Sequence, residues 1–227
     1  MRIENLVFEN LHCYCCINQT AADRIAYILY PAGISTDWVL ITATEHGISI
    51  VIISGIDWDN DLTPWPAPGV PKGSPDFGGR GSLFFSKLTQ TVIPNIEKRF
   101  NCIINPERTL VGVSLSGLFT LWQWPQSEFF YNIATLSGSF WYHGFEQWIY
   151  SHSFYGKRGR CFMLLGDDEP RSRNQLFSAV GKCTDEIVGY IRRQGVDITY
   201  RTVPGNHYQY PIERLDMAMS AIYQTNE

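Results

Sequence analysis

The 227 residues contain no apolar run long enough to cross a bilayer. The most apolar stretch, Ile48 to Ile53 with Gly55 and Ile56, falls far short of the roughly 20 residues a span requires. The start, MRIENLVFENLHCYCCINQT, has no basic segment leading into a continuous apolar one, so no secretory leader is expected and the expected location is cytoplasmic. Charge is scarce and nearly balanced. Eighteen Lys and Arg against 22 Asp and Glu leave a formal −4, which gives no electrostatic reason to expect nucleic acid or a membrane surface as partner. There is no internal repeat, low-complexity tract or run of like charge.

Cysteine is present without the paired C-x-x-C spacing that wraps a tetrahedral ion. His12, Cys13, Cys15 and Cys16 therefore read as a local or buried thiol group, and neither a metal nor a cofactor is expected. Cys102, Cys161 and Cys183 lie in apolar or helical contexts and read as core filler, reduced in a cytosolic chain. No G-x-G-x-x-G follows the first buried strand, which argues against a dinucleotide-binding protein.

Apolar and aromatic residues are what the chain has in quantity: 44% and 14%, with seven Trp, twelve Tyr and thirteen Phe. That is enough to bury a core across one domain, 1–227, without disulfides or metals, and more tryptophan than a core usually needs. Near-continuous apolar runs at Ile25–Tyr30 and Ile48–Ser54 predict strands covered on both faces, and further strands are read at Arg108–Val113, Asn132–Leu136, Cys161–Leu165 and Ile198–Val203. Helical patterns fall between them at 81–100, 115–124 and 175–194, the last stopped by Gly195, with a terminal helix over 208–224. Strand and helix alternate, so the expected class is α/β with a mainly parallel central sheet flanked by helices. Chemistry in such sheets sits beyond the carboxyl ends of the strands.

After the third of these strands stands Gly112-Val113-Ser114-Leu115-Ser116-Gly117. Strand, tight turn with small neighbours, then helix is the setting of a nucleophile elbow, although Ser116 takes the place of the second glycine. The bland reading makes Ser114 an N-cap in a Gly-rich turn. A nucleophilic serine needs a base, and of five histidines only His207, in Pro204-Gly205-Asn206-His207, follows the last strand. The orienting acid is sought after the fifth strand in Gly166-Asp167-Asp168-Glu169-Pro170. Glu169 is the first choice and Asp167 the second, and a Ser–His dyad stays open. His143 is a reserve base. Oxyanion donors are sought at the amide of Leu115 and among Ala32, Gly33 and Ile34, since Pro31 has no N–H.

Several segments, in order over residues 25 to 215, resemble the esterase family of α/β-hydrolases, the branch containing esterase D and enterochelin-esterase-like enzymes. They are ILYPAG at Ile28, DWDNDLTPWPAP at Asp57, DFGG at Asp76, VIPNIEKRF at Val92, GVSLSGLF at Gly112, LSGSFWY at Leu136, LLGDDEPRSRN at Leu164 and VPGNHYQYP at Val203. The resemblance implies an α/β-hydrolase fold, Ser114 as nucleophile and His207 as base. It favours the carboxylate three residues after the strand-ending glycine, Glu169. It implies a small-molecule ester or thioester substrate. An inactive scaffold that binds a ligand or partner, and an acyltransferase, are the alternatives. It leaves a homo-oligomer open, and the first 24 residues match nothing.

No separate cap domain is expected. The stretch 57–81, rich in Pro and Gly, reads as a long functional loop, and 140–155 as a second. If both fold over the strand ends, Asp57, Trp58, Asp61, Trp65, Arg80, Trp141 and His143 would contact substrate in an aromatic pocket; the alternative is that the aromatics only pack loops on the sheet. Arg171, Arg173 and Asn174 would bind an anionic group or cap the next helix.

Overall fold

Ten strands and nine α-helices are built from these patterns in a computed structural model that describes residues 1–20, 23–31, 33–101 and 106–223. Ala32 and Cys102, named above, and position 224, the end of the last expected helix, lie outside the described residues. Eight strands form one sheet: β1 (Arg2–Phe8), β2 (Leu11–Ile17), β3 (Arg24–Leu29), β4 (Ser49–Ser54), β7 (Glu107–Val113), β8 (Asn132–Leu136), β9 (Arg160–Gly166) and β10 (Asp197–Val203). Their order is β1-β2-β4-β3-β7-β8-β9-β10. From β4 to β10 every pairing is parallel, and β1 and β2 add an antiparallel edge beside β4.

The central strands β3, β4, β7, β8 and β9 are buried on both faces, which is why they read as continuous apolar runs. Two apolar clusters cover the faces. One gathers Tyr27, Leu110, Phe119, Trp124 and Ile187; the other gathers Ile28, Val111, Leu136, Leu215 and Met219. The pleat also divides the cysteine cluster, since successive side chains alternate sides. Cys13 and Cys15 join the first cluster and Cys16 the second. Burial pushes the Cys13 thiol up to about 12, and those of Cys15 and Cys161 further.

Several boundaries differ from expectation. The first 24 residues supply β1 and β2. A helix, α1 (Thr36–Glu45), follows β3 where none was expected; its β-branched residues hid it. The stretch 57–81 is not wholly loop: it holds α2 (Trp58–Asp61) and a two-residue ribbon of β5 (Pro66–Ala67) and β6 (Phe77–Gly78). The helix expected at 81–100 is α3 (Gly81–Lys87) and α4 (Ile93–Arg99) joined by a π-helical turn, Leu88–Val92. Pro94 explains the turn, since its ring would collide with the carbonyl four residues back in a regular helix.

Helix α5 (Leu115–Gln123) follows β7 as expected, and α6 (Phe145–Tyr150) lies in the second stretch. The helix expected at 175–194 is broken into α7 (Gln175–Ser178) and α8 (Val180–Arg193), with Phe177 turned onto Trp141 and Gly181 closed against Pro170. The last helix, α9, runs Pro211–Tyr223 rather than from Tyr208, because Pro211 sets its first turn and Tyr210 before it is left-handed (φ 58°). Among the described residues no helix is long and apolar enough to cross a membrane.

Candidate active site

Ser114 sits where β7 turns into α5, with φ 57° and ψ −121°, a conformation that non-glycine residues rarely adopt. The packing around it explains how that strain is held. Its amide donates to Leu136 O at 3.0 Å, and its carbonyl accepts from the amides of Leu118 and Ser139, both at 3.0 Å. A Cβ on Gly112 would fall 2.1 Å from Ser116 O, so the strand can approach its own helix only as glycine. Ser116, in place of the second glycine, does not crowd the turn. Its hydroxyl accepts from Val113 N at 2.7 Å and lies 2.9 Å from Leu29 O and 2.8 Å from Val113 O.

The loop after β10 brings His207 over the turn. Its Nε2 lies 3.1 Å from Ser114 Oγ, and its Nδ1 lies 2.8 Å from Glu169 Oε2. Glu169 comes from the turn after β9 and is buried. Burial pushes its carboxyl up. Hydrogen bonds from His207 and Ser137, the His207 charge and the Gly166 amide outweigh that, and the net shift is downward. Asp167 takes another place: its Oδ1 accepts from Gly205 N at 3.0 Å and braces the histidine loop. Asp168 pairs with Arg171.

Two clefts share Ser114, His207 and Tyr208. One, of about 270 Å³, is lined by Tyr30, Pro31, Trp58, Leu136 and Leu215. The other, of about 440 Å³, is lined by Ser139, Trp141, Arg171 and Phe177. A third cleft of about 570 Å³ has Trp141 as part of its wall but touches neither Ser114 nor His207.

Of the residues expected at substrate, Trp58 and Trp141 therefore line the clefts that reach Ser114. The others are placed differently. His143 is exposed and lines the third cleft, away from Ser114, so the geometry does not offer it as a reserve base. Trp65 donates from Nε1 to His143 O at 2.8 Å, and Tyr142 Oη donates to Trp65 O, so Trp65 fastens one loop to the other. Arg80 pairs with both Asp57 and Asp61, and these three form a strap across α2 instead of lining either cleft. Asn174 caps α7, accepting from the amides of Leu176 and Phe177.

Gly33 and Ile34 follow β3, where Pro31 joins the wall of the smaller cleft, and Leu115 opens α5. Three residues that sequence reasoning did not single out belong to the site. Ser139 Oγ is buried 3.4 Å from Ser114 Oγ. Ser137 Oγ donates to Glu169 Oε1 at 2.6 Å, and buried Arg214 stands behind the same oxygen at 3.3 Å. The serines lie at the carboxyl end of β8, a place that marks them; nothing in the sequence around Arg214 does.

No known family profile matches the sequence. It is 28% identical over 188 residues to the uncharacterized protein YbbA of Bacillus subtilis (strain 168), covering 78% of this chain and 74% of that one. The structure is similar to the siderophore hydrolase EstB of Aspergillus nidulans, with a TM-score of 0.73 at 17% identity over 97% of this chain and 95% of that one. It is also similar to an IroE-like serine hydrolase from Shewanella oneidensis, with a TM-score of 0.78 at 15% identity over 98% and 79%. The fold is that of the α/β-hydrolases.

Proposed function

We propose that this single-domain chain is a serine hydrolase that cleaves a carboxylic ester or thioester through an acyl-enzyme on Ser114. The observation that carries the reading is the unbroken line from Ser114 Oγ through the His207 ring to Glu169 Oε2, 3.1 and 2.8 Å long. The serine-hydrolase and siderophore-hydrolase descriptions of structurally similar proteins support it.

In this reading His207 Nε2 takes the Ser114 proton as Oγ attacks the carbonyl carbon. Glu169 holds the ring with Nδ1–H pointed at the carboxylate, so that Nε2 faces the nucleophile unprotonated, and it stabilises the imidazolium that forms. The oxyanion is received by the Leu115 amide at the start of α5 and by an amide of the loop after β3, Gly33 or Ile34. The imidazolium then protonates the leaving oxygen or sulfur. Water, deprotonated by His207, attacks the acyl-enzyme, and the acid departs.

A fluorophosphonate probe tests the reading. The folded protein is expected to be labelled on one residue, with the label lost in Ser114→Ala. Absence of labelling in an ester-hydrolysing preparation, or equal labelling of Ser114→Ala, rules out the proposal.

A further inference from the structure

Arg214 is a side chain that the triad chemistry does not itself require. It lies in the first turn of α9 and is only 4% exposed, yet its guanidinium is directed at the site. Nη1 donates to Ser137 Oγ at 2.7 Å and lies 3.3 Å from Glu169 Oε1; Nη2 donates to Asn206 O at 2.7 Å. Nε has no hydrogen-bond partner among the described residues. A buried guanidinium with an unpaired N–H is costly to keep, so its position calls for a compensating role.

The two carboxylate oxygens of Glu169 are used differently. Oε1 is held by the Ser137 hydroxyl at 2.6 Å, the Gly166 amide at 2.8 Å and Arg214, whereas Oε2 meets His207. With Oε1 held on three sides the carboxylate cannot turn, and the lone pairs of Oε2 are kept for Nδ1–H. Through Nη2 the same guanidinium holds the carbonyl of Asn206, the residue before His207. One planar fork therefore ties the acid turn to the base loop, which a lysine's point charge cannot do in the same way. Gly166 leaves room for it: a Cβ there would fall 2.6 Å from Arg214 Nη2 and 2.2 Å from Gly205 O.

We infer that Arg214 is a positioning residue of the Ser114–His207–Glu169 site, one that fixes the carboxylate and sets the proton affinity of the Glu169–His207 pair. The inference rests on the serine-hydrolase reading above. The other charged groups near the pair are exposed or engaged elsewhere, and two tyrosines lie beside it. Asp167 braces Gly205, Asp168 pairs with exposed Arg171, Asp216 accepts from Trp38, Glu213 is exposed, Tyr200 on β10 is half-buried and Tyr208 sets its ring edge-on to His207. Arg214 is thus the fixed positive charge on the pair. A positive charge lowers its affinity for a proton, and removing that charge raises it.

The test is the pH dependence of kcat/KM for p-nitrophenyl acetate in Arg214→Met and Arg214→Lys, with folding followed by circular dichroism. The Met variant is expected to lose activity and to shift its acid limb upward by about one pH unit or more. The Lys variant is expected to return the limb toward the wild-type position while kcat stays reduced. Arg214→Gln, which keeps an amide donor but no charge, replaces the Met variant should that one not fold. An acid limb that stays at the wild-type position in the uncharged variant overturns the inference, as does a Lys variant no closer to wild type than the uncharged one. Failure of the underlying reading shows separately, as hydrolysis that persists in Ser114→Ala.

Discussion

The hydroxyl of Ser116 lies 2.9 Å from the carbonyl oxygen of Leu29, joining the helix that follows Ser114 to the end of the neighbouring strand. The same hydroxyl accepts from Val113 N, so a residue that looks like a mild departure from a glycine pattern acts as a latch on the turn. Ser116→Ala leaves the half-buried Val113 amide without its acceptor and should cost about 1–3 kcal/mol of stability. It should also reduce the rate of fluorophosphonate labelling, because the strained Ser114 backbone loses a support. Urea unfolding and a labelling time course measure the two effects; unchanged stability together with unchanged labelling counts against the latch.

Glu169 and Asp167 are distinguished by what each carboxylate touches. Glu169→Gln keeps the volume but replaces the carboxylate facing His207 Nδ1, and should lower kcat/KM by about 10²–10⁴-fold, the upper figure being that of the comparable change in a well-studied triad. Asp167→Asn keeps an oxygen for the Gly205 amide and should cost far less. Steady-state kinetics on one ester decide it, and a larger loss in Asp167→Asn would reverse the assignment.

Much of this arrangement is legible in the residues, and the reasons for the rest are physical. The central strands announce themselves because both faces are buried. The order Ser114, Glu169, His207 is that of the strands they follow, β7, β9 and β10. Edge strands β1 and β2 are obscured because β1 is only half-buried along its length and β2 carries Cys13, Cys15 and Cys16, which suggest ligands before they suggest a pleat. Arg214 is invisible because a helix-borne arginine ordinarily faces water, and only tertiary packing turns this one inward. The Asp57–Arg80–Asp61 strap looks like a set of pocket contacts for the opposite reason: charged residues in a loop suggest a ligand until their mutual pairing is seen.

Glu169 also makes stability depend on pH. Its carboxyl is held below the ordinary 4.5 in the folded protein, so its contribution is present above that value and is lost as pH falls through the folded-state pKa. Wild type should therefore lose stability relative to Glu169→Gln as the medium is acidified below the ordinary glutamate range. Urea midpoints for both proteins at neutral pH and at the lowest pH where both still fold test the sign. A gap that does not move toward Glu169→Gln on acidification excludes this linkage.

The thiols give a prediction about access. Burial raises the pKa values of Cys13, Cys15, Cys16, Cys161 and Cys183, but the first four are buried and Cys183 is only half-buried. Because the thiolate is the reactive form, iodoacetamide at neutral pH should leave these four unmodified in the native protein and modify all of them in urea. Cys183 should react before any of them. Mapping the alkylated peptides by mass spectrometry checks the order, and early modification of Cys13 or Cys15 contradicts the placement of β2.

Trp141 concentrates the question of what the aromatic surplus does. Trp122, Trp124 and Trp38 are buried, and Trp148 stacks on Phe145, so they are packing residues. Trp141 is half-buried, its ring centroid 4.8 Å from that of Phe177, and it lines both the 440 Å³ cleft that reaches Ser114 and the 570 Å³ cleft beside it. A wall shared in this way should contact the part of a substrate farthest from the scissile bond. Trp141→Ala should raise KM for a bulky aryl ester with little change in kcat, and should leave a small acetate ester nearly unaffected. The expected factor is about tenfold, the size of one aromatic contact of about 1 kcal/mol or slightly more. Measured KM and kcat for the two esters separate the cases. Equal losses on both substrates would mean that Trp141 only supports the loop, and that the aromatic wall belongs to packing after all.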